Sequence, residues 1–264
     1  MFYNHNIYIV LILGIILFYL GRVLAKKINN NIFVILLLIT ISLPAISFIF
    51  YYFHLIDNKI DYIEFRSINN IEILTIFLGL LIGYISKITS KNVKDRKGFS
   101  IYLGLTVIFL LIPFIKPIIS PVNKYNKIQN KWKDDICIQT TGSTCGPSSM
   151  ATIFKFYGIN KTEEEIARNA FTSGSSTELW YLIRYARNQG LKVKVYNNKK
   201  LNEIPTPAIV GTKIGGNVGH FITILEKKDN KFIIGDSLTG KKEMEQNDFE
   251  KEYIYDGIGI HIMK

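Results

Sequence analysis

Apolar residues run almost without interruption through much of the first 120 residues, then break into short periodic pieces. Four long runs, Ile7 to Leu24, Ile32 to Phe53, Ile71 to Ile85 and Phe99 to Ile119, carry no polar face of the kind a helix on a soluble core presents. A membrane-crossing helix needs roughly 20 mostly apolar residues, about 17 at the short end. The third run reaches that length when extended to Ile88 with Lys87 snorkelling to the interface. The pattern predicts four transmembrane helices within residues 1–120. The first run lacks a basic stretch ahead of it and is followed by Arg22, Lys26 and Lys27 rather than by small residues, which argues against a cleaved signal peptide. Gly79 and Gly83 make a small-xxx-small spacing that suits close helix packing.

Beyond Ile119 the pattern changes in kind. Residues 121–134, with Pro121 and several Asn and Lys, read as a tether, and residues 135–264 as one domain of ordinary size. Apolar positions Met150, Ile153, Phe154 and Tyr157 share one helix face, predicting a helix from Gly146 to Tyr157 that stops at Gly158. Thr162 with Glu165 forms a capping-box pattern for a second helix, and Ser175 with Glu178 one for a third that ends at Gly190. Strands are predicted at Leu191 to Tyr196, Ala208 to Val210, His220 to Leu225, Phe232 to Asp236 and Ile258 to Ile262. Helices first and antiparallel strands after them make an α+β domain behind a helical membrane region.

The formal net charge of +11 sharpens the membrane reading. Loop one holds Arg22, Lys26 and Lys27, and loop three Lys87, Lys91, Lys94, Arg96 and Lys97; loop two has Lys59 and Arg66 among Asp57, Asp61, Glu64 and Glu72. Basic residues favour the cytoplasmic side, so loops one and three are expected inside and both termini, with the domain, outside. Lys116, Lys124, Lys127, Lys131 and Lys133 follow the fourth run and pull the other way, although long domains translocate despite such charge. No aromatic-interleaved basic stripe accompanies the charge, so a lipid surface explains it better than nucleic acid does. The abundance of Ile, Lys and Asn fits the AT-rich coding of a low-GC bacterium.

Candidate chemistry gathers at Gln139 to Tyr157, QTTGSTCGPSSMATIFKFY. Cys145 stands directly before Gly146-Pro147 at the predicted start of a helix, and Pro147 suits a first turn, where a missing N–H costs nothing. A thiol there faces unpaired N–H groups and the positive end of the helix dipole, both of which favour the nucleophilic thiolate. A lone cysteine is more often a small buried hydrophobe, so Cys145 needs partners to count as a nucleophile. His220, one of only four histidines, heads an apolar β-branched run, and Asp236 ends the next one. A hairpin centred near Lys228, with the turn at Lys227-Lys228-Asp229-Asn230, would set His220 and Asp236 directly opposite each other, within reach of a hydrogen bond. A slip of one residue would separate them onto opposite faces. Gln139, six residues before Cys145, is close enough in sequence for its amide to reach an oxyanion beside the sulfur; otherwise it satisfies the loop backbone near Thr140 to Gly142.

The order Gln139, Cys145, His220, Asp236, with the cysteine opening a helix and the later two on a sheet, resembles the papain-like cysteine peptidases. More narrowly, it resembles the bacteriocin-processing, double-glycine leader peptidases found fused to ABC exporters. The resemblance spans about Asp135 to Ile262 and rests on Gln139, Cys145-Gly146-Pro147, the segment IARNAFTSGSSTELWYLIRYARNQGLKV, Gly219-His220-Phe221 and Asp236. Thr144 departs from the family's usual Asp before the cysteine, and Ser237 from the Pro that commonly follows the aspartate. The resemblance implies a membrane-anchored cysteine peptidase acting on a peptide or protein substrate that is itself exported or membrane-bound. The same constellation serves amidases and acyl transferases, and a degenerate form would bind peptides without cutting them.

Other signals weigh less. Gly235 to Lys241 fits seven positions of a phosphate-binding loop, but Lys242 replaces the residue that would hold magnesium and no apolar helix follows, so no nucleotide is expected. Two cysteines with scattered histidines make no zinc site, and no cofactor or metal is expected. Cys137, between Ile136 and Ile138, reads as packed in a short strand, with a Cys137–Cys145 disulfide as an oxidised alternative. His261 sits in an alternating strand without a matched carboxylate and reads as structural or exposed. His5 and His54 read as interfacial, Trp132 as an interface anchor and Trp180 as a packing residue.

Overall fold

The computed structural model describes residues 4–28, 31–56, 59–89, 96–122, 128–215, 218–228 and 231–264. Asp57, Lys91, Lys94, Lys124, Lys127, Asp229 and Asn230, named above for loops, tether and turn, lie outside the described residues. The chain divides into two compact units. One comprises residues 4–57 and 70–115; the other holds residues 58–69 together with everything from Lys116 onward.

The first unit is helical: α1 (Asn6–Ile28), α2 (Ile32–Tyr52), a 3-10 turn (Ile71–Thr75) running into α4 (Ile76–Thr89), and α5 (Arg96–Leu111). Four stretches, Asn6–Ile28, Ile32–Tyr52, Ile71–Thr89 and Lys97–Ile119, are long and apolar enough to cross a membrane, and they coincide with the four runs in the sequence. Helices α1 and α4 approach backbone to backbone. A Cβ on Gly79 would stand 2.2 Å from Gly14 O, and one on Gly83 2.0 Å from Phe18 O, so the Gly79/Gly83 pair is required by contact. Arg22 reaches Ser86 Oγ at 2.7 Å and lies 4.9 Å over the Phe99 ring, which satisfies its charge on a largely apolar helix.

The second unit joins helices to an antiparallel sheet. Its helices are α3 (Ile60–Arg66), α7 (Cys145–Phe156), α8 (Glu163–Asn169), α9 (Leu179–Asn188) and α10 (Gln246–Glu252), with α6 (Ile115–Ile119) leading in. A two-stranded hairpin, β1 (Lys131–Lys133) and β2 (Ile136–Ile138), precedes α7. Six strands follow: β3 (Lys192–Asn197), β4 (Ala208–Ile214), β5 (Val218–Lys228), β6 (Lys231–Asp236), β7 (Gly240–Glu245) and β8 (Ile254–Met263). They lie in the order β3-β8-β4-β5-β6-β7, every pair antiparallel. One face buries Ala208, Val210, Ile222, Ile224, Phe232 and Ile234 with Phe249 and Tyr253 from α10 and its exit. The other packs on α7, where Gly235 stands against Thr152 and Ser149 Oγ donates to Phe221 O at 3.0 Å.

Several expectations change in detail. Thr162 caps α8 by accepting from Glu165 N at 3.1 Å, but the Glu165 carboxylate takes Lys161 Nζ and Tyr185 OH. The capping box expected at Ser175 and Glu178 is absent from α9: Ser175 pairs with Ser173 Oγ in a turn, and Glu178 becomes the N-cap residue while its carboxylate pairs with Lys116. Strand β7 and helix α10 add to the predicted elements, because Lys241, Lys242, Glu243 and Glu245 leave no apolar period to read. Gly235 to Lys241, the stretch resembling a phosphate loop, closes the β6–β7 hairpin, with Asp236 paired to Gly240.

Segment 58–69 lies between the second and third apolar helices, inside the stretch expected to be membrane region, yet it packs with the second unit. Arg184 Nη2 donates to Arg66 O at 2.6 Å, Arg187 reaches Ser67 Oγ and Glu64, and Arg66 stacks 4.6 Å over Trp180.

Candidate active site

Helix α7 begins at Cys145, and its first ten residues are all buried. The loop ahead of it is wound by Thr141 and Thr144: Thr144 N donates to Thr141 O, and Thr141 N to Thr144 Oγ1. Glu163, fully buried at the start of α8, accepts from Thr140 N at 2.8 Å and Thr140 Oγ1 at 2.7 Å, fixing the loop from the other side. Gly146 allows the close seat of the helix start, since a Cβ there would stand 2.9 Å from Leu182 Cδ1 and 3.3 Å from Phe221 Cδ2. As the first residue of the helix, Cys145 has a backbone N–H with no partner inside the helix.

His220 Nε2 lies 2.9 Å from Asp236 Oδ1, and both side chains are almost wholly buried. A carboxylate only accepts, so Nε2 carries the proton and donates. Cys145 also acts on the charge of this ring, and with Nε2 given to Asp236 the nitrogen left for it is Nδ1. Burial alone would push the imidazole pKa down, but the bonds to Asp236 and Cys145 outweigh it and raise the value to about 9. Burial likewise works against the Asp236 carboxylate, yet hydrogen bonds from His220, Leu238 N and Tyr253 hold it well below the usual carboxylate range. Both its oxygens are occupied: Oδ1 by His220 and by Leu238 N at 2.9 Å, Oδ2 by Thr239 Oγ1 at 3.0 Å and Tyr253 OH at 2.8 Å.

The His220–Asp236 contact is not the directly opposed pair expected. The β5–β6 ladder sets Lys228 against Lys231 and Glu226 against Ile233, then shifts, so that Ile224 faces Ile234 and Thr223 faces Gly235. Carried one step further, Asp236 opposes Ile222, and His220 is its diagonal neighbour two residues along. The shift is a bulge with Leu225 as the extra residue. Without it the register of the turn end would set Thr223 opposite Asp236, and His220 would lie on the other face of the ladder.

Gln139 follows β2 and is anchored at both ends of its amide. Nε2 donates to Thr141 O at 2.9 Å, and Oε1 accepts from Ser237 Oγ at 2.7 Å. Cys137 and Cys145 are both free thiols, which corrects the disulfide alternative. Burial, with Glu163 nearby, pushes the Cys137 thiol up to about 12, so it stays protonated and inert. His261 Nδ1 bonds Pro207 O at 3.0 Å, and Trp180 is buried.

Sequence reasoning missed the residues that hold the site: Ser237, Leu238, Thr239, Tyr253, Thr140 and Glu163. Thr239, three residues after Asp236, had a readable signal, because Asp and Thr at turn spacing capture one another. Tyr253 had none; it arrives from beyond α10 and touches Asp236 only through the fold.

Residues 133–262 match the Peptidase C39 family model. An uncharacterized protein of Methanothermobacter thermautotrophicus is 28% identical over 116 residues, covering 44% of this chain and 80% of the relative. One from Methanothermobacter marburgensis is 24% identical over 119 residues, covering 45% and 82%. Among solved structures, the peptidase domain of Streptococcus ComA, a bifunctional ABC transporter of a quorum-sensing pathway, aligns with a TM-score of 0.43 at 22% identity over 48% of this chain and 96% of that one. A double-glycine-motif protease from an AMS/PCAT transporter, solved with its leader peptide, aligns at 0.41 with 20% identity over 54% and 96%.

Proposed function

The C-terminal domain of this chain is a Peptidase C39 family domain, a cysteine peptidase, and from that premise we propose how its residues divide the work of cutting a peptide bond. Cys145 attacks the scissile carbonyl as thiolate, forming the C–S bond while the carbonyl oxygen takes the negative charge. The Cys145 N–H and the second Nε2 hydrogen of Gln139 receive that oxyanion. His220, protonated at Nδ1, passes its proton to the leaving amine as the C–N bond breaks. Water then attacks the thioester with His220 as base, releasing the acid and regenerating the thiol. Asp236 holds the ring in one orientation and tautomer throughout. The observation that carries this reading is the buried His220 Nε2–Asp236 Oδ1 bond of 2.9 Å, on a ring whose proton Cys145 also helps to hold.

The four apolar helices each cross the membrane in this proposal, with loops one and three inside and the peptidase outside. The packing of segment 58–69 with the second unit supports one part of it: two apolar helices, Ile71–Thr89 and Lys97–Ile119, separate that segment from the peptidase, and two crossings return the chain to its starting side.

Screening the full chain in detergent against a quenched-fluorescent peptide library tests the assignment. Cys145→Ala and His220→Ala are each expected to abolish cleavage, and the double variant to lose no more than either alone, because the pair acts as a unit. Turnover by Cys145→Ala, or no cleavage by the parent chain, would sink it. Alkylation of Cys145 on intact cells by a membrane-impermeant reagent, in a Cys137→Ser background, reports the side.

A further inference from the structure

We propose that Ser237 is a positioning residue for the Gln139 amide and thereby for the oxyanion, an inference that rests on the donor role assigned to Gln139 above. Thr141 O only accepts, so the nitrogen end of the Gln139 amide must face it, at 2.9 Å. The oxygen end then faces Ser237, and a hydroxyl opposite a carbonyl oxygen must donate, here at 2.7 Å. The backbones of the same two residues are joined as well, Gln139 N donating to Ser237 O at 2.9 Å. Ser237 is 1% exposed, so water cannot replace its hydroxyl.

Held at both ends, the amide plane cannot rotate without breaking one of these two bonds, and the Nε2 hydrogen not spent on Thr141 keeps a constant direction. Preorganisation of that kind is what makes an oxyanion donor effective, since no reorientation is needed as charge develops. Ser237 also follows Asp236, whose carboxylate is held by Leu238 N and Thr239 Oγ1 of the same turn. One turn, Asp236 to Thr239, therefore fixes the carboxylate behind His220 with one set of atoms and the Gln139 amide with another.

The test measures kcat, KM and iodoacetamide alkylation of Cys145 in the full chain, with a peptide found by the library screen. Ser237→Ala is expected to lower kcat about 5- to 20-fold with KM unchanged, the effect of one positioning hydrogen bond on a transition state. Ser237→Thr keeps a hydroxyl and should recover most of the loss. Alkylation uses no oxyanion donor, so its rate should stay at the parent value in Ser237→Ala. In a Gln139→Ala background the Ser237→Ala change should cost nothing further. Parental kcat in Ser237→Ala beside a large loss in Gln139→Ala would overturn the role of Ser237 alone. Slowed alkylation, or full additivity of the two changes, would also overturn it, by routing the effect through Asp236 and His220. Parental kcat in Gln139→Ala would instead overturn the donor assignment on which the proposal stands.

Discussion

At the scale of the residue, His220 is the group whose environment makes the clearest claim. Its folded pKa of about 9 stands above the ordinary value of 6.5, so the proton is held more tightly in the folded chain than in the unfolded one. The resulting stabilisation is complete below pH 6.5 and is lost as the pH rises through about 9. Activity that needs the protonated ring to supply the leaving amine should follow the same limb, with kcat falling above a midpoint near 9. Tyr253→Phe removes one of the four donors on Asp236 without emptying its volume, and the descending limb should move to higher pH, because a carboxylate with one donor fewer holds the imidazolium more strongly. A pH–rate profile of both proteins checks this; an unmoved limb in Tyr253→Phe would mean that the tyrosine only packs.

At the scale of the element, the bulge at Leu225 decides which face His220 occupies. Pairing Leu225 instead of bulging it would part His220 from Asp236, whereas deleting it leaves Glu226 against Ile233 and Ile224 against Ile234 in one regular ladder and keeps His220 diagonal to Asp236. Deletion of Leu225 is therefore expected to keep cleavage within a few-fold of the parent rate, read as turnover beside retained circular dichroism; cleavage abolished in a folded chain would show that the kink of the bulge, and not the register alone, aims His220. A comparable constraint acts at the head of α7, where a methyl on Gly146 would press on Leu182 and Phe221. Overpacking there costs about 1–3 kcal/mol, so Gly146→Ala should lower both thermal stability and turnover, checked by a melting curve and the peptide assay.

At the scale of the molecule, the C39 match begins at residue 133, but the compact unit does not. Helix α3 brings Tyr62 edge-on to Trp180 and Arg66 over the same ring, and its backbone end takes Arg184. A fragment of residues 128–264 would leave Trp180 and the Arg184 stem without that cover. It is expected to melt below the full chain and to show indole fluorescence open to acrylamide, with Trp132→Phe isolating the Trp180 signal. The half-exposed ion pair Arg187–Glu64 contributes little to this, on the order of 0–1 kcal/mol; the aromatic and guanidinium burial is the larger part. Equal melting and quenching in fragment and full chain would show that α3 merely rests on the domain.

The residue sequence by itself determined what depends on local period and composition. The four apolar helices are legible because length and continuous hydrophobicity leave no other solution, and α7, with Cys145 at its head, because period and Pro147 agree. The α+β order and most strands follow from β-branched runs between turn residues. Tertiary structure decided the rest, since those features depend on which distant atoms meet. The diagonal register of His220 and Asp236 comes from a bulge that no residue type announces. Tyr253 and Ser237 reach the site from separate elements, and charged β7 has no apolar alternation to betray it. Segment 58–69 reads as a loop between two apolar helices, and only packing against Trp180 and Arg184 joins it to a domain that begins about fifty residues later along the chain.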